Sequence, residues 1–186
     1  RDGENPVAGV SRGLPKQPEK VKHHEAMPYV DVPAFLNRIP DLNTNPAVQA
    51  ALEFTILTAA RTGEALRADW SEIDLEAALW TVPAERMKAG REHRVPLSAP
   101  TLALLDRAMP LSGGKGLIFP GQRRGRPLSD MSMLMVLRRA GVPATVHGFR
   151  SSFRDWTSES TRFSREVAEA SLAHAVENQT EAAYRR

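Results

Sequence analysis

Apolar positions recur along this chain with two periods, and the switches between them mark out its elements. Residues 1–28 show neither period: they hold four prolines, three glycines and mixed charge, and read as linker. A first helix is expected after Asp31, with Pro33 near its first turn. Asn45-Pro46 opens a stronger helix whose apolar face carries Ala47, Ala51, Phe54, Ile56, Leu57 and Ala60; its expected end lies in RTGEAL, where Gly63 offers a stop. The period then shortens. SEIDL, LWTVP and HRVPL alternate apolar and polar residues and predict three short strands, joined by EAA and by AERMKAGRE, whose Gly90 suits a hairpin loop.

Helical spacing returns at Ser98, which is placed to cap a helix with Pro100 in its first turn, running to about Met109. GGKGLIFPGQRRGRP reads as loop. Ser129 is expected to cap a helix holding Met131, Leu134, Met135 and Leu137. Beyond Thr145, the aromatics Phe149, Phe153 and Trp156 fall on one helical face. Ser164 is placed to cap REVAEASLAH, and Asn178 with Glu181 forms a capping box for a last short helix holding Tyr184. The pattern therefore predicts a mainly helical α+β fold: a bundle-like domain with a small three-stranded antiparallel sheet. The Met and Phe stripes are expected in the core.

Composition narrows the class. The 186 residues allow one core of ordinary size, and 41% apolar with 25% charged residues is ordinary for a globular chain. No cysteine is present, which excludes a disulfide framework and thiolate chemistry. No apolar run is long enough to span a membrane and no signal-like start is visible, so a cytoplasmic location without membrane contact is expected. The chain starts at Arg1, and residues 1–28 are read as the linker from an upstream domain. Residues 29–186 are then one domain. The net charge of +3 says little by itself, but residues 121–165 hold nine arginines against three acids. Arginine forks match phosphate oxygens, so Arg123, Arg124, Arg126, Arg138, Arg139 and Arg154 are candidate DNA phosphate contacts. A solvated basic face would look the same.

Several polar residues carry candidate chemistry. Singly each has an ordinary explanation. His147 and Arg150, three apart in HGFR, could be surface groups. Arg61 could merely pair with Glu64, Lys88 could be a solvated hairpin lysine, His174 a satisfied core histidine and Tyr184 a packing tyrosine. Together they suit one reaction. Arg61 and Arg150 could hold the two non-bridging oxygens of a phosphodiester. His147 and His174 could exchange protons there. Tyr184 could attack the phosphorus, and Lys88 could protonate the leaving sugar oxygen. Fixed guanidinium groups suit the charge that develops on the phosphate.

AARTGEAL, RMKAGREHRVPLS, HGFR and LAHAVENQTEAAYRR resemble the boxes of tyrosine recombinases, in particular phage and genomic-island integrases. The resemblance runs from about residue 30 to the end, and implies that residues 29–186 are a catalytic domain truncated at its C-terminal tail, with residues 1–28 the linker from a missing upstream DNA-binding domain. It implies that Arg61, Lys88, His147, Arg150, His174 and Tyr184 are catalytic, with Glu64 similar to the carboxylate that supports the first arginine. The third box usually reads Leu-Gly-His and here reads Leu-Ala-His. What the resemblance implies is site-specific cleavage and rejoining of DNA through a 3′-phosphotyrosine, for integration or excision of a mobile element. Because that link stores the bond energy, no cofactor and no metal are expected; no metal-ligand spacing is visible, and His23-His24 falls in the linker. The implied partners are double-stranded attachment sites, other copies in a synaptic tetramer formed on DNA by a chain that is a monomer alone, and accessory excision or bending proteins. The implied location is the bacterial nucleoid. Three other readings stay open: a type IB topoisomerase, a DNA-binding module that has lost catalysis, and a purely structural helical domain.

Overall fold

The structure, a computed structural model, describes residues 25–123 and 125–174. Arg124, Tyr184 and the capping box at Asn178 and Glu181 lie outside the described residues.

Helix α1 (Val32–Arg38) and helix α2 (Pro46–Thr58) begin with proline in the first turn, and the Asn45 side chain caps α2 by accepting from Ala47 N at 2.8 Å. The α2 helix is buried nearly all round, with Ala47, Val48, Ala51, Leu52 and Phe54 in the core, so it is the central strut of the fold. It packs along helix α4 (Ala99–Ser112). The expected end of α2 in RTGEAL is corrected: the helix stops at Ala59, which takes the left-handed conformation (φ 49°). A separate helix α3 (Thr62–Leu66) then starts, with Gly63 inside it. The cause is Glu64, whose carboxylate accepts the Arg61 backbone N–H at 3.0 Å and nucleates a new helical start.

The three strands form as expected, with β1 (Ile73–Asp74), β2 (Leu79–Val82) and β3 (His93–Pro96) antiparallel in that order and Trp80 opposite Val95. Only two residues of SEIDL are strand, because Asp69 caps a 3-10 turn over Trp70–Glu72. Glu72 then receives the Trp80 indole N–H at 2.9 Å and Arg86 at 2.8 Å. Trp80 is fully buried and meets Phe54 with ring centroids 4.9 Å apart; Phe119 meets Phe54 at 5.3 Å. Phe119 and Ile118 belong to GGKGLIFP, so the segment read as loop is irregular but supplies two fully buried side chains.

Helix α4 runs past Met109 to Ser112 and ends on Gly113 in the left-handed region. Helix α5 (Ser132–Arg139) buries Met133, Val136 and Leu137, whereas Met131 and Met135 are exposed, against expectation. The Ser129 hydroxyl accepts from Met131 N ahead of the helix, which leaves Met131 at the N-cap, and Met133, Val136 and Leu137, spaced i, i+3 and i+4, form the face turned to the core. Helix α6 (Gly148–Ser160) buries Phe149, stacked on Phe35 at 5.8 Å. Phe153 and Trp156 share that stripe but pair with each other at 5.9 Å, with Trp156 exposed, because the second half of α6 runs beyond the core. Residues 25–28 cross the start of α6: Thr145 N donates to the Glu25 carbonyl at 2.9 Å and the Ser152 hydroxyl to that of Met27. A Cβ on Gly148 would collide with the Glu25 carbonyl, so this position of HGFR has room only for glycine. Helix α7 (Arg165–Ser171) completes the described fold.

Candidate active site

Three chain endings meet beside the C-terminus of α2. Ala59 turns left-handed there, His147 is the N-cap of α6, and Leu172 is the C-cap of α7. Arg150, in the first turn of α6, is buried and reaches all three. Its Nη1 donates to the Ala59 carbonyl, and its Nη2 donates to the Leu172 carbonyl at 2.7 Å and lies 3.2 Å from His174 Nε2. Arg61, one turn of chain beyond Ala59, donates through Nη1 to Glu64 at 2.8 Å and through Nη2 to the Ala173 carbonyl at 3.2 Å. Arg61, Glu64, Arg150 and His174 are therefore brought together from residues as far as 113 positions apart.

Burial first, and then the neighbouring Arg61 charge, pull the Arg150 guanidinium down to about 10, against the opposing pull of Glu64 and Glu169. It stays charged at neutral pH. Its Nε is buried with no hydrogen-bond partner among the described residues. The site thus crowds two cations into a partly desolvated space. Glu64 offsets Arg61, while the carbonyls that hold Arg150 are neutral, an arrangement suited to an anion.

The remaining predicted residues are more scattered. His147 is exposed at the N-cap of α6 and Lys88 is exposed on the turn between β2 and β3. Met87 beside it is buried and Gly90 closes the turn at φ 62°. Arg123 and Arg126 line a cleft with Asn45 and Val48, and Arg139 lines another with Leu42 and Thr44. Both clefts flank the N-terminal end of α2, about 20 Å from Ala59 at 1.5 Å per helical residue. Arg138 is exposed on the last turn of α5. Arg154 forms an ion pair with Glu169 at 3.2 Å.

Two residues near the cluster were not singled out in the sequence. His93, at the start of β3, is half-buried. Burial, opposed by Glu64 and by a hydrogen bond to the Ser171 backbone, lowers its pKa; Arg61 and Arg150 lower it further. Its signal was the alternation of HRVPL, which puts His93 on the inward side with Val95 and Leu97. Glu169 is the second. Its carboxylate contacts His174 Nδ1, and five residues apart is not a pairing distance on a continuous helix. The contact exists because the helix ends between them.

The phage integrase family model matches residues 30–186. Among curated proteins, the chain is 38% identical over 172 residues to prophage integrase IntZ of Escherichia coli (strain K12), covering 91% of this chain and 42% of that protein. It is 33% identical to prophage integrase IntA of the same organism, over 97% of this chain and 44% of the relative. The integrase of Enterobacteria phage P4 is 31% identical over 97% of this chain and 44% of its own length. The chain thus spans less than half the length of these relatives. Among solved structures, a lambda integrase tetramer bound to a Holliday junction superposes with TM-score 0.65 at 19% identity, covering 93% of this chain and 56% of that one. The XerH site-specific recombinase bound to its difH substrate gives 0.64 at 20% identity, covering 81% and 47%. At those identities the likeness is one of fold, the same mainly helical body with a three-stranded sheet. The family match, however, takes in every box from AARTGEAL to the final tyrosine, and on that ground the chain belongs to the phage integrase family.

Proposed function

We propose that this chain is the strand-transfer domain of a site-specific DNA recombinase that integrates or excises a mobile element. The observation that carries the proposal is the convergence of Arg61, Arg150 and His174 on one point at the ends of α2, α6 and α7. Two guanidinium groups fixed side by side match the non-bridging oxygens of a phosphodiester, and Glu64 holds one of them in place. Tyr184, ten residues beyond His174, is the nucleophile in this reading. Its phenol oxygen bonds to phosphorus and the bond to the 5′ oxygen breaks, leaving a 3′-phosphotyrosine; Lys88 protonates the departing oxygen. His147 and His174 move protons at the same phosphate. A 5′ hydroxyl from a partner strand then reverses the link.

The partners in this proposal are double-stranded attachment sites and further copies of the protein in a DNA-bound tetramer, with accessory bending proteins where the element uses them. The names of the relatives support recombination over a topoisomerase or a module without catalysis. The upstream part of the chain is proposed to be a separate DNA-binding domain reached through residues 1–28.

The test is a nicked duplex carrying the attachment site, on which cleavage becomes irreversible. The wild type should accumulate a covalent protein–DNA adduct, and Tyr184→Phe should bind the DNA and form none. An adduct of undiminished yield in Tyr184→Phe would refute the assignment. Relaxation of supercoiled DNA with no exchange between paired sites would move the reading to a topoisomerase.

A further inference from the structure

The end of α7 has a defined backbone pattern that explains why Glu169 meets His174. Ala173 is left-handed at φ 50°. Its N–H donates to the Ala170 carbonyl at 2.9 Å, and the N–H of His174 donates to the Glu169 carbonyl at 3.0 Å. These two bonds make a Schellman ending, which folds the residue after the left-handed position back over the last full turn. The two side chains so joined are commonly apolar. Here they are a carboxylate and an imidazole, with Glu169 Oε2 against His174 Nδ1. The other carboxylate oxygen of Glu169 is held by Arg154 at 3.2 Å.

The opposite edge of the ring is also specified. His174 Nε2 faces Arg150 Nη2 at 3.2 Å. A guanidinium has donors only, so Nε2 is the accepting nitrogen and the ring proton sits on Nδ1, where Glu169 receives it. One tautomer satisfies both contacts; the other would set N–H against N–H on one edge and a lone pair against a carboxylate on the other.

We propose that Glu169 is a positioning residue for His174, holding its ring in the Nδ1–H form so that Nε2 is directed at the Arg61–Arg150 pair and can take up a proton from the phosphate centre and return it. This rests on the reading of His174 as a group acting at that phosphate. A carboxylate on the remote nitrogen fixes ring orientation and offsets the charge of the ring once Nε2 is protonated. The hydrogen bond from His174, together with Arg154 and Arg165, holds the Glu169 carboxyl below its ordinary range against an opposing push from burial, so it is ionised when the ring needs it. The other charged groups around the ring are Arg150 from α6 and, across the Ala173 carbonyl, Arg61 with its partner Glu64. His93 lies beyond the Ser171 backbone.

The experiment joins a spectroscopic readout to a rate. The full chain, labelled with ¹⁵N-histidine and assigned with His174→Gln, should show His174 protonated on Nδ1 and bare on Nε2 at mildly alkaline pH. Glu169→Ala should move that ring toward the Nε2–H form and slow adduct formation on the nicked duplex by at least about tenfold, within the ~10²–10⁴ that a positioned proton-transfer group is worth in all. Glu169→Gln keeps an acceptor oxygen without the charge; it should keep the tautomer and lose less rate. If Glu169→Ala does not fold, Glu169→Leu, which keeps the bulk and removes the acceptor, takes its place, and an unchanged ring in that folded variant overturns the proposal. An unchanged ring in folded Glu169→Ala, or a rate within about twofold of wild type, overturns it too. If the wild type forms no adduct while Glu169→Ala still moves the ring, the recombinase reading fails and the positioning role stands.

Discussion

The Arg61 and Arg150 guanidinium groups donate to consecutive peptide carbonyls, those of Ala173 and Leu172. Two cations from opposite parts of the chain are thereby parked side by side, Arg61 paired with the Glu64 carboxylate and Arg150 held by neutral carbonyls. Burial and mutual repulsion both oppose this, as the lowered Arg150 shows. An anion between them would relieve the repulsion. Inorganic phosphate or sulfate should therefore raise the melting temperature, by roughly 2–4 °C for each kcal/mol of binding linkage in a domain of this size. The gain should shrink in Arg61→Ala. An equal rise in that variant would show that the ion acts elsewhere.

Glu64 is buried while its partner Arg61 is only partly covered. The carboxylate also holds the first turn of α3 through the Arg61 N–H. Glu64→Ala removes both contacts and leaves a guanidinium without its counter-charge, and it should destabilise the domain by about 3 kcal/mol. Chemical denaturation measures this; a change under about 1 kcal/mol would mean that the pair is decorative. Because the same change frees Arg61 to swing, adduct formation should fall even where the variant remains folded.

Ala173 occupies a left-handed position that glycine adopts without strain. A non-glycine residue there costs about 1–2 kcal/mol, part of which glycine would forfeit through the greater entropy of its unfolded chain. Ala173→Gly should therefore stabilise the domain by about 0.5–1 kcal/mol, and Ala173→Val should destabilise it. Thermal unfolding of the pair decides the matter: equal melting temperatures would show that the turn is not strained.

His93 is expected to titrate below the ordinary histidine range in the free protein, chiefly because it is half-buried and secondarily because Arg61 and Arg150 face it. With the folded value depressed, the unfolded chain binds the proton more readily. The stability held by neutral His93 is thus complete above about pH 6.5 and is lost as pH falls from there through the folded value. Phosphate at the arginine pair should raise its pKa by screening both cations. NMR titration with and without phosphate tests this, and a His93 that titrates at the free-histidine value would remove it from the site's electrostatics.

Much of this fold is legible in the sequence. Asn45-Pro46 and the alternation in LWTVP and HRVPL predict the central helix and the sheet because caps and strand periodicity are local signals. The stop at Ala59 was not legible, since no glycine marks it; that carbonyl is taken by Arg150, 91 residues away. Met131 and Met135 misled because Met131 falls at the N-cap outside the helix and the face turned to the core is that of Met133, Val136 and Leu137, which tertiary packing selects. The arginines of residues 121–165 read as one basic stretch, yet Arg123 and Arg126 stand at the far end of α2 from Arg150, and Arg154 holds Glu169. Charge along a sequence does not report which face a residue reaches. Glu169 was hidden for the same reason as Ala59: its role depends on a backbone reversal, and helical spacing would have pointed it elsewhere.

Lys88 offers the sharpest separation of chemical steps. It is exposed on the turn after β2, between Met87, whose buried side chain anchors the turn to the core, and Gly90, whose N–H donates to the Met87 carbonyl at 3.0 Å. The anchor fixes one end of the turn, and the left-handed Gly90 at the other end has open space where a Cβ would stand. A flexible four-carbon side chain on such a turn can follow the leaving oxygen as it separates, in contrast to Arg61 and Arg150, which are held on both sides. If Lys88 delivers the proton to that oxygen, its removal should matter only when a proton is needed. Lys88→Ala should slow cleavage of ordinary DNA by roughly 10²–10⁴. On a duplex with sulfur in place of the 5′-bridging oxygen, a leaving group that departs unprotonated, the variant should approach the wild-type rate. Equal slowing on both substrates would mean that Lys88 binds the phosphate instead of protonating the leaving group, and a further Lys88→Arg variant that restores the ordinary rate would point the same way.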